Sequence, residues 1–300
     1  MLTREEALAT RQSPETEVKL QTLLVAYDFS AFAEMALEYA VQLAHKHHSE
    51  IAIAYIEQPA DIEAEMESGL GAMNAARAQT ERDLRSIAQR LRDQGISSAS
   101  YCRAGTTSDV LVQLAAEIRP DLLLLGAYGH ARRDAQRLGS TAEFLLRCLP
   151  CPTLTIGPQV VFAGQLRVPR RHIVYASSIP TRLARAARFA QIFAQTWGAD
   201  VEIMHVIDAA SPGYDSRRNA EMDVRGGALA QKFREIGINA HWSLHVGSPP
   251  DKILERARQL CAELILFGIE HHTVDATIMG TISKTIQQAV CPVLTVPGPA

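Results

Sequence analysis

Leu122-Leu123-Leu124-Leu125-Gly126-Ala127-Tyr128-Gly129, followed after nine further residues by Gly139-Ser140-Thr141, is the stretch on which the reading of this chain turns. The leucines read as a buried strand, and a glycine at the strand's end lets the backbone turn tightly and lets a ligand approach with no Cβ in the way. Gly139-Ser140-Thr141 can open a helix whose free N–H groups face an anion. The combination points to a phosphate chain as ligand. The same residues also suit a plain strand-end turn and helix cap, and that reading stands beside the first.

Far upstream, Thr22-Leu23-Leu24-Val25-Ala26-Tyr27-Asp28-Phe29-Ser30 reads as a first strand ending in an acid. A helix follows, with apolar positions at Phe32, Met35, Ala36, Tyr39, Ala40, Leu43 and Ala44. In open α/β sheets, ligands sit beyond the carboxyl ends of the strands where strand order reverses. Asp28 and Gly126 can therefore be neighbours. Asp28 has a second reading as a helix N-cap beside Ser30.

The pattern then repeats. Ile173-Val174-Tyr175-Ala176 echoes Leu24-Val25-Ala26-Tyr27, residues 201–208 echo 51–57, Leu264 to Gly268 echo Leu122 to Gly126, and Cys291-Pro292 echoes Cys151-Pro152. Each copy alternates short β-rich runs with helical patterns, the mark of parallel strands joined by crossover helices. The expected architecture is α/β: two tandem doubly wound domains, 20–157 and 170–297, each with a parallel five-stranded sheet. The proline-bounded segment from Gly157-Pro158 to Val168-Pro169 reads as the linker.

Bulk properties narrow the function. Three hundred residues allow about two domains, and 47% hydrophobic against 21% charged residues suits two packed cores. A net charge of −3 gives no reason to expect nucleic-acid binding. No run approaches the roughly 18 apolar residues of a membrane span, so a cytoplasmic location is expected. Five cysteines, Cys102, Cys148, Cys151, Cys261 and Cys291, make an odd set without a dense framework, as expected of thiols in a reducing compartment.

On Val25-Ala26-Tyr27-Asp28-Phe29-Ser30, the Gly-x2-Gly-x9-Gly-Ser pattern at 126–140 and the closing strand Cys151-Pro152-Thr153-Leu154-Thr155-Ile156, the chain resembles the universal stress proteins, in particular tandem members of the ATP-binding type. The resemblance implies Rossmann-like domains of the adenine nucleotide alpha hydrolase kind and ATP with Mg²⁺ as cofactor. It implies a site made of Ala26, Asp28, Ile56, Gly126, Gly129, Gly139, Ser140 and Thr141. Asp28 would meet the ribose and the backbone of Ile56 the adenine edge, while the glycines, Ser140 and Thr141 would hold the triphosphate. Ile56 can equally be a core aliphatic. Single-domain members pair through their last strands, so a covalent tandem would mimic that dimer and bring Leu154 near Leu294. An unidentified protein partner is also expected, and further pairing into homodimers stays open.

The two copies differ where a polyanion would bind. Arg132, Arg133, Arg137 and Asp134 give the first glycine loop +2 with His130 neutral, whereas Glu270 and Asp275 give the second −2. Arginine holds phosphate with paired donors, and acids repel it. The second copy places Ser177 at the position of Asp28 and His271 at that of a glycine, so one ATP per chain is expected. Gly280-Thr281 could still bind a small anion at a helix start.

No Walker lysine follows the glycines, and no nucleophile–base pair stands out, so binding is expected over turnover. A nucleotide-independent adaptor and a slow Mg²⁺-dependent ATP hydrolase are the alternatives. His45, His47 and His48 end the first helix without zinc-like spacing. His241 and His245 alternate on a strand and read as a surface-facing pair. Cys148 and Cys151 read as packing residues, and Asp61, Glu63, Glu65 and Glu67 as a solvated loop or a flap.

Overall fold

The computed structural model describes residues 19–59, 70–129, 138–148, 151–161, 171–177, 184–208, 216–269 and 276–298. The glycine-loop residues 130–137, the acidic segment 60–69, the linker residues 162–170 and the second loop 270–275 lie outside these.

The N-terminal half runs β1 (Thr22–Ala26), α1 (Ala31–His47), β2 (Glu50–Glu57), α2 (Leu70–Asp93), β3 (Ser98–Ala104), α3 (Thr107–Ile118), β4 (Leu122–Gly126), α4 (Ser140–Cys148) and β5 (Thr153–Ile156). The C-terminal half repeats the order as β6 (Arg171–Ala176), α5 (Ala184–Trp197), β7 (Ala199–Ile207), α6 (Ser216–Glu235), β8 (Ala240–Val246), α7 (Pro249–Gln259), β9 (Leu264–Ile269), α8 (Ala276–Gln288) and β10 (Val293–Pro297). Within each half every strand pair is parallel.

The two five-stranded sheets are not separate. They join through one antiparallel pair, β5 with β10, into a ten-stranded sheet of order β3-β2-β1-β4-β5-β10-β9-β6-β7-β8. Leu154 pairs with Leu294 at the centre. Closing the two inner edges on each other satisfies their ladders and leaves only β3 and β8 as outer edges.

Both faces of the sheet are covered. Leu23 and Val25 point into one apolar layer, shared with Ala36, Leu43, Phe189 and Phe193, while Leu24 and Leu123 point into the other, with Leu114, Leu145, Ile253 and Ile282. Two-sided burial is why the strands read as unbroken apolar runs. Cys151 and Cys291 are buried in the second layer, where burial pushes both thiols up to about 12. Such thiols are poor nucleophiles, in keeping with a packing role.

The hydrogen-bond register corrects the repeat alignment. Tyr27 N–H donates to Ala54 O at 2.8 Å and Ser177 N–H to Met204 O at 2.9 Å. With Ala26 opposite Ala54 and Ala176 opposite Met204, Ser177 occupies the position of Tyr27. The counterpart of Asp28 is therefore Ser178, outside the described residues. Strands buried on both faces carry no alternation to fix their phase, so a one-residue slip leaves the sequence pattern unchanged.

The halves also touch through helices. His47, at the end of α1, sets its Nε2 2.8 Å from Thr196 Oγ1 on α5. Thr196 already donates to Ile192 O at 2.7 Å, so the imidazole donates and is held as the Nε2–H tautomer. Burial lowers the His47 pKa. The unfolded chain then binds the proton more readily, so stability is lost as pH falls through about 6.5, the unfolded value, towards the lower folded one. Thermal melts from pH 8 to 5 should show His47→Gln to be less acid-sensitive than the parent; equal slopes would remove His47 from this role.

Candidate functional site

All eight residues Ala26, Asp28, Ile56, Gly126, Gly129, Gly139, Ser140 and Thr141 lie on the wall of one cavity of about 790 Å³ at the carboxyl ends of β1, β2 and β4. β1 sits between β2 and β4, so the chain leaves it in a crevice where strand order reverses.

At the end of β1, Ser30 is the helix cap: its Oγ accepts from Ala33 N–H at 3.1 Å. Asp28 supports the turn before it, with Oδ1 accepting Ser30 N–H at 3.0 Å. The carboxylate is only half-buried, and its second oxygen lies beside Gly129, where an added Cβ would come within 2.9 Å of it. Phe29, between them, takes φ 62°, a left-handed conformation that costs a bulky residue energy and marks a constrained site. Its ring packs on Tyr27 and Tyr55.

Among the described residues the backbone of Ile56 meets no hydrogen-bond partner. In a parallel ladder, the N–H and C=O of one residue face the same neighbour and alternate residues face opposite ones. Ala54 O faces β1, where Tyr27 N–H takes it, and Glu57 O faces β3's end, where Gly105 N–H takes it at 3.0 Å. Ile56 therefore points towards β1, past its last residue Ala26, and no described backbone group takes its N–H or C=O.

The glycines turn out to have protein neighbours. A Cβ on Gly126 would lie 2.6 Å from Phe32 Cβ, and one on Gly139 would lie 2.7 Å from Ala127 O. Gly139 N–H already donates to Ala127 O at 3.0 Å, so it does not face an anion as its place in the sequence pattern suggests. Glu143 N–H to Gly139 O, 2.9 Å, is the first bond of α4. Among the described residues no acceptor meets the N–H groups of Ser140, Thr141 and Ala142 at that helix start. The arginine loop that follows Gly129 lies outside the described residues.

One site residue escaped the sequence reading. Thr107, first residue of α3, lines the cavity beside Ile56 and Leu111, and its Oγ1 is buried without a hydrogen-bond partner. A buried orphan hydroxyl costs free energy unless something meets it. A single threonine after Gly105-Thr106 carries no pattern by which to single it out. Its counterpart in the second half is Pro249, matched through Gly105 and Gly247, which share φ of 142° and 144°.

In the C-terminal half the corresponding space is a cavity of only about 180 Å³, with no Lys or Arg among the described residues of its wall. The reason lies in α8. Ile282, Thr285 and Ile286 match the buried positions Ala142, Leu145 and Leu146 of α4, which puts Met279 in the place of Gly139. The helix begins at Ala276, a turn earlier, so Gly280 and Thr281 are inside it and not at its start. Their N–H groups have helical acceptors, and Thr281 Oγ1 bonds back to Thr277 O at 3.1 Å. The small-anion site expected at Gly280-Thr281 is absent because extra helix fills it.

Comparison places this architecture. The sequence profile of the universal stress protein family matches residues 19–157 and again 169–297. The chain belongs to the universal stress protein family. A universal stress protein from Archaeoglobus fulgidus DSM 4304 has the same fold over 92% of this chain and 98% of its own, at 19% identity and a TM-score of 0.71. A candidate universal stress protein from Pseudomonas aeruginosa UCBPP-PA14 covers 93% and 94%, at 16% identity and a TM-score of 0.66. A third, from A. fulgidus in complex with dAMP, aligns with 44% of this chain and all of its own at 22% identity and a TM-score of 0.36. No functionally curated protein matches the sequence. Among the described residues of this universal stress protein, no helix is long and apolar enough to cross a membrane, and no His, Cys, Asp or Glu cluster could hold a metal ion.

Proposed function

We propose that this universal stress protein binds one ATP, with Mg²⁺, in its N-terminal half, and that nucleotide occupancy biases its affinity for a protein partner in the stress response. What carries this reading is the convergence on one 790 Å³ cavity of an unpaired peptide edge at Ile56, the Asp28 carboxylate, the orphaned Thr107 hydroxyl and an open helix start. Ile56 N–H and C=O match the acceptor and donor of an adenine edge, and Asp28 accepts from ribose hydroxyls. Ser140 and Thr141 supply N–H and hydroxyl donors to phosphate at the positive end of α4. Mg²⁺ would be held chiefly by phosphate oxygens and water, with charge neutralisation as its contribution. Among the described residues of the cavity no nucleophile and base stand together, so ATP is expected to be held and not rapidly hydrolysed.

Calorimetric titration of Mg²⁺-ATP into ligand-free protein tests the reading. One site per chain is expected; two would restore the second half as an ATP site, and none would leave the adaptor.

Thr107→Val sharpens the test. Removing an orphan hydroxyl should leave the ligand-free melting temperature equal or higher, while losing its hydrogen bond to nucleotide weakens ATP about three- to tenfold. Thr107→Ser should bind as the parent does. A valine variant with unchanged affinity would take Thr107 out of the site.

A further inference from the structure

The geometry points to a further ligand site in the C-terminal half, at the amino ends of β6, β7 and β8, for an aromatic molecule that carries a primary carboxamide. It lies at the opposite end of the strands from the two cavities described above, and the chain's own first half shows what is unusual about it.

Where the N-terminal half has Ala52 of β2 and Leu114 of α3 in its apolar layer, the C-terminal half has Glu202 of β7 and Arg256 of α7. The strand match follows from Leu24 opposite Ala52 and Val174 opposite Glu202. The helix match follows from the buried faces, on which Leu111 and Ala115 answer to Ile253 and Ala257. Glu202 is only 6% exposed. A buried ion pair is often no more stable than apolar residues in the same space, so packing alone gives little reason for the exchange. Beside the pair, Tyr101, opposite Ala54, is replaced by Ser243, opposite Met204. The smaller side chain borders a cavity of about 520 Å³, the size of a small-molecule site.

The ion pair in the wall of this cavity is half-used. Glu202 Oε1 accepts from Ser243 Oγ at 2.7 Å and from Arg256 Nε at 3.2 Å, while Oε2 meets no described donor. Arg256 Nη1 donates to Gln259 Oε1 at 3.3 Å, and Nη2, on the Nε side of the guanidinium, meets no described acceptor. An arginine–carboxylate fork normally closes with two parallel bonds. Here the second is unmade, which leaves an acceptor and a donor side by side.

A primary carboxamide complements both, its N–H donating to Oε2 and its C=O accepting from Nη2. A carboxylate in that place would face Glu202, and an amidinium would face Arg256, so a charged head of either sign is disfavoured. Leu260 and the imidazoles of His172 and His241 contribute further wall, which suits a flat ring. Asp200, also in the wall, accepts from Asn239 Nδ2 at 2.8 Å.

The probe is benzamide, titrated into full-length protein while the methyl NMR signals of Leu260 are followed. They should shift and saturate with benzamide, and benzoate and benzamidine should each bind about tenfold more weakly or worse. Glu202→Ala combined with Arg256→Leu installs the residues of the first half. This double variant should melt no lower than the parent and lose benzamide about tenfold or more, the worth of two hydrogen bonds. Arg256→Lys keeps the charge without the fork and should weaken benzamide about three- to tenfold. Silent methyls at millimolar benzamide would overturn the proposal, as would either charged analogue binding as well as benzamide or either variant binding like the parent. A double variant that melts well below the parent would assign the pair to stability and overturn it too. Neither benzamide nor Leu260 reports on the N-terminal cavity, so the outcome does not depend on whether that half binds ATP.

Discussion

Asp28→Ala is expected to weaken ATP about 10- to 100-fold, the worth of a hydrogen bond to a charged group, with the fold intact. The carboxylate is half-buried at the mouth of β1, and its Oδ1 already supports the turn into α1, so the side chain is positioned before any ligand arrives. Pre-positioning is what makes one carboxylate count, since little rotamer entropy remains to be lost on binding. Ser30 still caps α1 in the variant, which limits the stability cost to about 1 kcal/mol. Adenosine should lose affinity by the same factor as ATP, because Asp28 would meet the sugar. If ATP alone weakened and adenosine did not, the carboxylate would belong to the phosphate and metal end of the cavity.

Gly157→Ala should destabilise the protein by about 3 kcal/mol, seen as a lower denaturant midpoint. Gly157 follows β5, at the seam between the halves, and a Cβ there would overlap the carbonyl oxygen of Ile286 on α8. A backbone oxygen inside a helix cannot swing away as a side chain can, so β5 and α8 must part. Gly280→Ala is the control. No atom lies within 4 Å of a Cβ at Gly280, which sits inside α8, so alanine should stabilise by about 0.5 to 1 kcal/mol. Parent-like stability of Gly157→Ala would show that the seam is looser than described.

Particular residues show what a reader of the sequence could and could not see. That Asp28, Ile56, Gly126, Gly129 and Ser140 would line one cavity was legible because they stand at or just beyond the ends of strands, and strand ends are marked by apolar runs that stop. Thr107 was not, since what singles it out is a missing partner, which only neighbours in space define. The equation of Ser177 with Asp28 was one residue off, and Gly280-Thr281 was placed at a helix start that lies a turn earlier. The first slip arises because unbroken apolar strands carry no phase, and the second because Gly280 was taken for a helix boundary although a helix accommodates an internal glycine at modest cost.

The sequence by itself determined the α/β class, the duplication and the asymmetry of charge between the two glycine loops, all of which rest on local composition and period. Tertiary structure alone decided the fusion of two sheets through β5 and β10, the contact of His47 with Thr196, the occupation of Gly139 N–H by Ala127, and the shrinkage of the second cavity. Each of these depends on which groups meet after the chain has crossed itself, and edge pairing, hydrogen-bond partners and cavity volume are properties of those meetings, with no counterpart in the period of any single segment.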